Sequence, residues 1–112
     1  MSTQKTTWHK LFDSYQEACV VFKVGDIKKA QIETLVLSVG RRDTTTFFAV
    51  SDSCTHEGIS LSKGQIKNNK IECPWHHYLF DIKTGVCLTD NSCANIKVYQ
   101  IRIDDSGFYI GI

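Results

Sequence analysis

No apolar run in this 112-residue chain is long enough to cross a bilayer. The longest, Ala18-Cys19-Val20-Val21-Phe22, falls far short of the roughly 20 residues required, so no membrane partner is expected. The N-terminal stretch from Met1 to Trp8 is polar and has no apolar h-region, so no secretory signal is expected either. No charge of one sign dominates: 13 Lys and Arg face 12 Asp and Glu, a formal net charge of +1. That balance excludes binding to nucleic acid through bulk electrostatics, which needs a clear basic excess. The five cysteines are odd in number and too sparse for the disulfide framework of a small secreted domain, so a reducing, cytoplasmic setting is expected. No repeat, low-complexity tract or linker divides the chain, and it contains one proline, Pro74. Its length is that of one domain with a modest core, which a bound inorganic centre could reinforce by tying loops together.

What is present is short runs of β-branched and aromatic residues between Gly, Asp, Asn and Ser. Ala18 to Val24, Ile32 to Val39, Thr45 to Val50, Val98 to Ile103 and Phe108 to Ile112 read as strands. Gly25-Asp26, Gly40 to Asp43, Asn68-Asn69, Thr84-Gly85 and Asp104 to Gly107 read as turns. Asn68-Asn69 between Gln65-Ile66-Lys67 and Lys70-Ile71-Glu72 is a compact hairpin signal. No long helical period appears, although Ser14 to Ala18 or Ile27 to Ala30 could form a single turn. The expectation is an all-β domain, with an antiparallel base formed by residues of about 1–51 and 95–112. Residues of about 52–94 read as a two-loop, cluster-binding subdomain carried by that base.

That subdomain holds the chemistry. Cys54-Thr55-His56 is a C-x-H triplet and Cys73-Pro74-Trp75-His76 is C-x-x-H, with sixteen residues between His56 and Cys73. Within each loop the Cys and His are too close to enclose a whole cluster, but each loop can give one ligand to each of two irons. Two thiolates on one iron and two neutral imidazoles on the other is the arrangement of a Rieske [2Fe–2S] centre. Replacing two thiolates by neutral ligands removes negative charge and raises the potential above that of an all-cysteine ferredoxin. Pro74 fixes φ in the second loop and helps hold Cys73 and His76 together. Zinc fingers prefer C-x₂₋₄-C and H-x₃₋₅-H pairs, which this pattern does not match. A catalytic Cys–His pair lacks an orienting third group.

Three stretches carry a family resemblance: Cys54-Thr-His-Glu-Gly-Ile-Ser-Leu-Ser-Lys-Gly64, Ile71-Glu-Cys-Pro-Trp-His76 and Phe80-Asp-Ile-Lys-Thr-Gly85. Over about residues 47 to 85 the chain resembles the Rieske ferredoxins, of the soluble, disulfide-free, oxygenase-associated type. The resemblance implies one [2Fe–2S] cluster at the tip of an antiparallel β base. Cys54 and Cys73 would ligate the inner iron, and His56 and His76 the outer, solvent-facing iron. Leu61, Pro74 and Trp75 would surround the cluster, and Phe80-Asp81 with Thr84-Gly85 would form a closing hairpin. It also implies a one-electron carrier, not an enzyme on its own, that takes electrons from a flavin-containing ferredoxin reductase and passes them to a terminal oxygenase. The 112 residues leave none over for a mononuclear iron site with its own His and carboxylate ligands. Chains forming the small subunit of assimilatory nitrite reductases are similar, and His76 to Asp81 fits them about as well, which is the alternative reading.

Departures from the family sharpen the expectation. Respiratory and photosynthetic Rieske proteins bridge their two loops with a disulfide, and Ile59 and Trp75 stand at the matching positions here. Those proteins also donate to the cluster from Ser and Tyr hydroxyls; the corresponding residues are Tyr78 and Phe80, and Phe80 cannot donate. Fewer charge-assisted donors leave the reduced cluster less stabilised, which places the potential low in the Rieske range, roughly −150 mV and not +300 mV. The segment from Val86 to Ala94 lacks the proline often found there, and Cys93 could lie near the site. Cys87 and Cys93 read as near-surface thiols, and a disulfide between them is disfavoured in a reducing compartment. Cys19 reads as a small core residue, His9 as surface and His77 as facing away from the cluster. Trp8, Phe47, Phe48, Tyr99 and Phe108 read as base core; Lys63, Lys67 and Lys70 read as a solvated hairpin face.

Overall fold

A computed structural model describes residues 6–53, 60–74, 77–89 and 93–112. Two antiparallel sheets carry the fold. The larger has six strands: β1 (Trp8–Phe12), β2 (Ile27–Ile32), β3 (Leu35–Arg41), β4 (Phe47–Ser51), β8 (Val98–Asp104) and β9 (Gly107–Gly111), in spatial order β1-β9-β8-β4-β3-β2. The smaller has β5 (Gln65–Lys67), β6 (Lys70–Glu72) and β7 (Leu79–Asp81) in sequential order. One helix, α1 (Tyr15–Val21), and one 3-10 turn, Leu61–Lys63, complete the described elements. None of the described helices is long and apolar enough to cross a membrane.

The all-β expectation holds, with three local corrections. The run from Ala18 to Val24 is helix α1 followed by coil, not a strand. Ser14 caps the helix by accepting from the Glu17 amide at 3.1 Å. Ala18 and Phe22, four residues apart, are buried, whereas Val20 between them is 82% exposed. A strand would have put all three on one face. Second, Ile27 to Ala30 lies in strand β2 and forms no helical turn. Third, the expected strand from Ile32 to Val39 is broken by a two-residue turn after Ile32. There Glu33 takes φ 56° in the left-handed region, so that Ile32 pairs with Leu35. Glu-Thr carries no glycine or asparagine to announce such a turn.

Strand β4 explains how the two halves join. Phe47 and Ala49 enter one core with Leu37, Val39, Phe108 and Ile110, while Phe48 and Val50 enter another with Leu61, Ile71, Cys73 and Phe80. Alternation sends successive side chains to opposite faces, and both faces are covered, so this strand reads as a continuous apolar run. The first core also receives Ala18 and Phe22 of α1. Trp8 is only half-buried, correcting its expected place in the core: its ring lies 4.8 Å from the Arg102 guanidinium on the sheet surface. Cys19 is likewise half-buried at the rim of the first core.

Candidate metal centre

The ligand loops spring from the second core. Of the four expected ligands only Cys73 lies within the described residues; Cys54, His56 and His76 lie outside them, as do Ile59 and Trp75. Cys73 follows β6 and is fully buried among Val50, Leu61, Ile71 and Phe80. Its amide donates to the Tyr78 carbonyl at 2.8 Å, which closes the second loop at its neck. The neck of the first loop is closed by an antiparallel bridge between Ser53 and Ser60.

Two glycines bring backbone close to backbone around these necks. A Cβ on Gly64 would overlap the Glu72 carbonyl oxygen, so glycine lets the exit of the first loop lie against the residue just before Cys73. Gly85 takes φ 78°, and a Cβ there would overlap the Ile96 carbonyl oxygen. The Gly85 amide donates to the Asp81 carbonyl and the Ile96 amide to the Gly85 carbonyl, each at 2.8 Å. Asp81 Oδ1 accepts from the amides of Lys83 and Thr84, the Thr84 amide being the main reason its carboxyl is held below its usual range. Phe80-Asp81 and Thr84-Gly85 therefore do form a hairpin beside the loops.

Two buried carboxylates flank the loops, and sequence reading passed over both. Asp52, 6% exposed, stands two residues before Cys54. Its carboxylate accepts from Ser38 Oγ at 2.7 Å, Ser60 Oγ at 2.7 and 2.8 Å, and the Ser62 amide at 3.1 Å, with Lys29 Nζ at 3.6 Å. Burial raises its pKa, but the donations from Ser60, Ser38 and Ser62 together outweigh burial and hold it below the usual range. Glu72, also 6% exposed, directly precedes Cys73. It accepts from Gln65 Nε2 at 2.7 Å and Lys67 Nζ at 3.2 Å, and the Gln65 bond is the largest cause of its lowered pKa. The available signal was the position of each acid, an Asp among Ser residues and a Glu beside an expected ligand, but nothing in the sequence indicated their burial. Lys67 is exposed, as expected of a solvated hairpin face, and its ammonium also reaches Glu72.

His77 is exposed and takes φ 57°, with Nδ1 3.6 Å from Glu72 Oε2. An open recess of about 310 Å³ lies beside it, lined by Lys63, Gly64, Gln65, Glu72 and Pro74. Leu61 is fully buried in the second core, whereas Pro74 is exposed.

Cys87 and Cys93 correct the disulfide-free expectation: they are joined, with Cα atoms 5.8 Å apart. The chain places them on adjacent runs. The Cys87 amide donates to Asn95 Oδ1 at 3.0 Å, and the Ile96–Gly85 bond anchors the returning run beside the outgoing one. Composition could not foretell this, because it speaks to compartment and not to two runs lying side by side.

The family model described as "Rieske [2Fe-2S] domain" matches residues 14–100. The chain belongs to this family. Among curated relatives, the ferredoxin subunit of 3-phenylpropionate/cinnamic acid dioxygenase from Photorhabdus laumondii is 36% identical over 67 residues, 59% of this chain and 64% of that one. Human apoptosis-inducing factor 3 is 28% identical over 94 residues, 80% of this chain and 16% of that protein. The chain thus spans less than two thirds of either relative. A solved structure of reduced oxygenase with oxidised ferredoxin in carbazole 1,9a-dioxygenase contains a chain matching with a TM-score of 0.75 and 26% identity, over 92% of this chain and 91% of that one.

Membership in the Rieske family implies one [2Fe–2S] cluster, and the described residues fit it. A cysteine thiol is a soft ligand suited to iron–sulfur chemistry. Here one, Cys73, is held wholly out of solvent among apolar side chains, next to a loop neck that Gly64 lets approach closely.

Proposed function

We propose that this Rieske chain is a one-electron carrier, the ferredoxin component that receives electrons from a flavin-containing reductase and delivers them to a terminal oxygenase. It is not a catalyst on its own, and it works in the cytoplasm. The match to one chain of the ferredoxin–oxygenase structure carries this reading, because it covers 92% of this chain and 91% of that one at 26% identity.

In this reading Cys54, His56, Cys73 and His76 would hold the cluster, the cysteines on one iron and the histidines on the other. The bound cluster supplies a reversible one-electron couple. Cys73 contributes its thiolate from a dry, apolar wall, while the Cys73–Tyr78 backbone bond keeps the second loop from opening. Gly64 lets the exit of the first loop lie against Glu72, the residue before Cys73. Phe80, fully buried and without a hydroxyl, lines that wall without a donor, which supports a potential low in the Rieske range.

The test is rapid mixing under anaerobic conditions. A reduced flavin reductase from a dioxygenase system should bleach the oxidised protein, and an oxidised Rieske oxygenase should restore its colour. Reduction by dithionite but by no flavin reductase, together with permanent co-elution with a large sirohaem protein from the native host, would instead make the chain a nitrite reductase subunit.

A further inference from the structure

We propose that Cys87 and Cys93 form a reversible thiol–disulfide exchange site, taking small thiol reductants of the glutathione class, in addition to the one-electron chemistry of the cluster. The two residues are joined at a Cα separation of 5.8 Å, inside the range that a disulfide spans without backbone movement. Both are half-buried at the rim of the second core, whereas Cys73 lies wholly inside it. Their neighbours Val86, Leu88, Thr89 and Ala94 are exposed, so a small thiol can approach.

The setting argues for exchange over a purely structural staple. A cross-link stabilises chiefly by restricting the unfolded chain, and more so for longer loops. This one spans a sequence separation of only six, the weak end of that scale. The surrounding chain is also held without it. Leu88 N–H donates to the Leu79 carbonyl at 2.8 Å, Leu79 N–H to Thr89 Oγ1 at 2.8 Å, and Ile96 N–H to the Gly85 carbonyl at 2.8 Å. Opening the bond leaves these contacts in place, so the domain accommodates both states. The contact most exposed to the change is Cys87 N–H to Asn95 Oδ1, because Asn95 is fixed on one side by Ile96 and on the other, two residues away, by Cys93.

The exchange runs in two displacements. A thiolate RS⁻ attacks one of the two sulfurs, forming a mixed disulfide and releasing the other cysteine as a thiolate, which takes a proton from solvent. A second RS⁻ displaces the remaining protein sulfur, which is protonated in turn. The sum is protein disulfide plus two RSH giving two protein thiols plus RSSR, a transfer of two electrons and two protons.

The experiment uses the cluster-loaded protein, equilibrated anaerobically in glutathione buffers from fully reduced to fully oxidised, approached from both ends, then quenched in acid and alkylated. Trypsin, cutting after Lys83 and Lys97, leaves both cysteines in one peptide, Thr84 to Lys97, whose mass reports the bond. The expected result is a reversible passage from doubly alkylated to unalkylated peptide within the series, with the visible spectrum of the cluster retained. Cys87→Ser, with its cluster spectrum intact, should abolish the passage. Hydrogen exchange at the Cys87 amide should be roughly tenfold faster in the reduced state, while Leu88 is unchanged. A peptide that stays unalkylated in fully reduced glutathione, or doubly alkylated in fully oxidised glutathione, would overturn the proposal. So would equal exchange at Cys87 in both states.

Discussion

The base sheet has strands of five to seven residues, and the described aromatic rings join there in five edge-on contacts, such as Phe47 against Phe108 at 5.0 Å. The three strands of the small sheet have three residues each and no such ring network among the described residues. Perpendicular aromatic pairs add about 0.5–1.5 kcal/mol each beyond their buried area, so the base can hold itself by packing. The three-residue strands of the small sheet lie at the short end of the usual range. That region relies on other devices: close backbone approach at Gly64 and Gly85, carboxylates that accept several hydrogen bonds at Asp52 and Glu72, and the bound cluster. Strand β4 couples the two regions by facing both. The lesson is a division of labour in which the base supplies stability and the tip supplies geometry.

That division predicts different failures. Phe108→Ala should cost the whole domain about 3–5 kcal/mol, a large share of a typical 5–15 kcal/mol. In urea, far-UV dichroism and cluster colour should then be lost together at a much lower midpoint; loss of colour alone would mean the regions are less coupled than β4 suggests. Gly85→Ala should do the reverse, since it forces a Cβ onto the Ile96 carbonyl. Iron per chain should fall by more than half while the dichroism of the base persists. Full occupancy in this variant would remove close approach from the list of devices.

These two residues show what could be read without coordinates. Gly85 and Gly64 were legible as motif members, and Phe108 as core, because residue type alone marks them. Asn68-Asn69 gave its hairpin directly, Asn68 taking φ 58°. The turn at Ser14 to Ala18 is the start of helix α1, but the helix runs on through Val21 where Ala-Cys-Val-Val-Phe has strand composition, because tertiary burial of Ala18 and Phe22 decides otherwise. The buried state of Asp52 and Glu72, and the Cys87–Cys93 bond, arise from contacts between separate runs, which no local pattern encodes.

Two smaller effects refine the comparison. Asp52→Asn should destabilise by about 1–3 kcal/mol, as hydroxyls of Ser38 and Ser60 lose a charged acceptor in a buried site. The loss should appear as faster cluster release in the presence of a chelator, more than as a lower thermal midpoint. In the base, Asp43 is half-buried and its carboxyl is lowered to about 2 by the Thr45 amide first, then by Thr46 and Arg42. A carboxyl with a depressed folded pKa gives stability above its unfolded value, near about 4, and loses it as pH falls toward 2. The gap in thermal midpoint between the wild type and Asp43→Asn should therefore close over that window. A gap that is constant with pH would show the carboxylate to be inert.

The most direct test is the electron paramagnetic resonance spectrum of the dithionite-reduced protein, taken with His76→Ala and His77→Ala beside it. Two cysteine and two histidine ligands predict a reddish-brown protein with a Rieske signal, its average g well below that of plant-type ferredoxins. His76→Ala should abolish that signal and His77→Ala should keep it. A colourless protein with stoichiometric zinc, or a signal lost with His77 and kept without His76, would contradict the account.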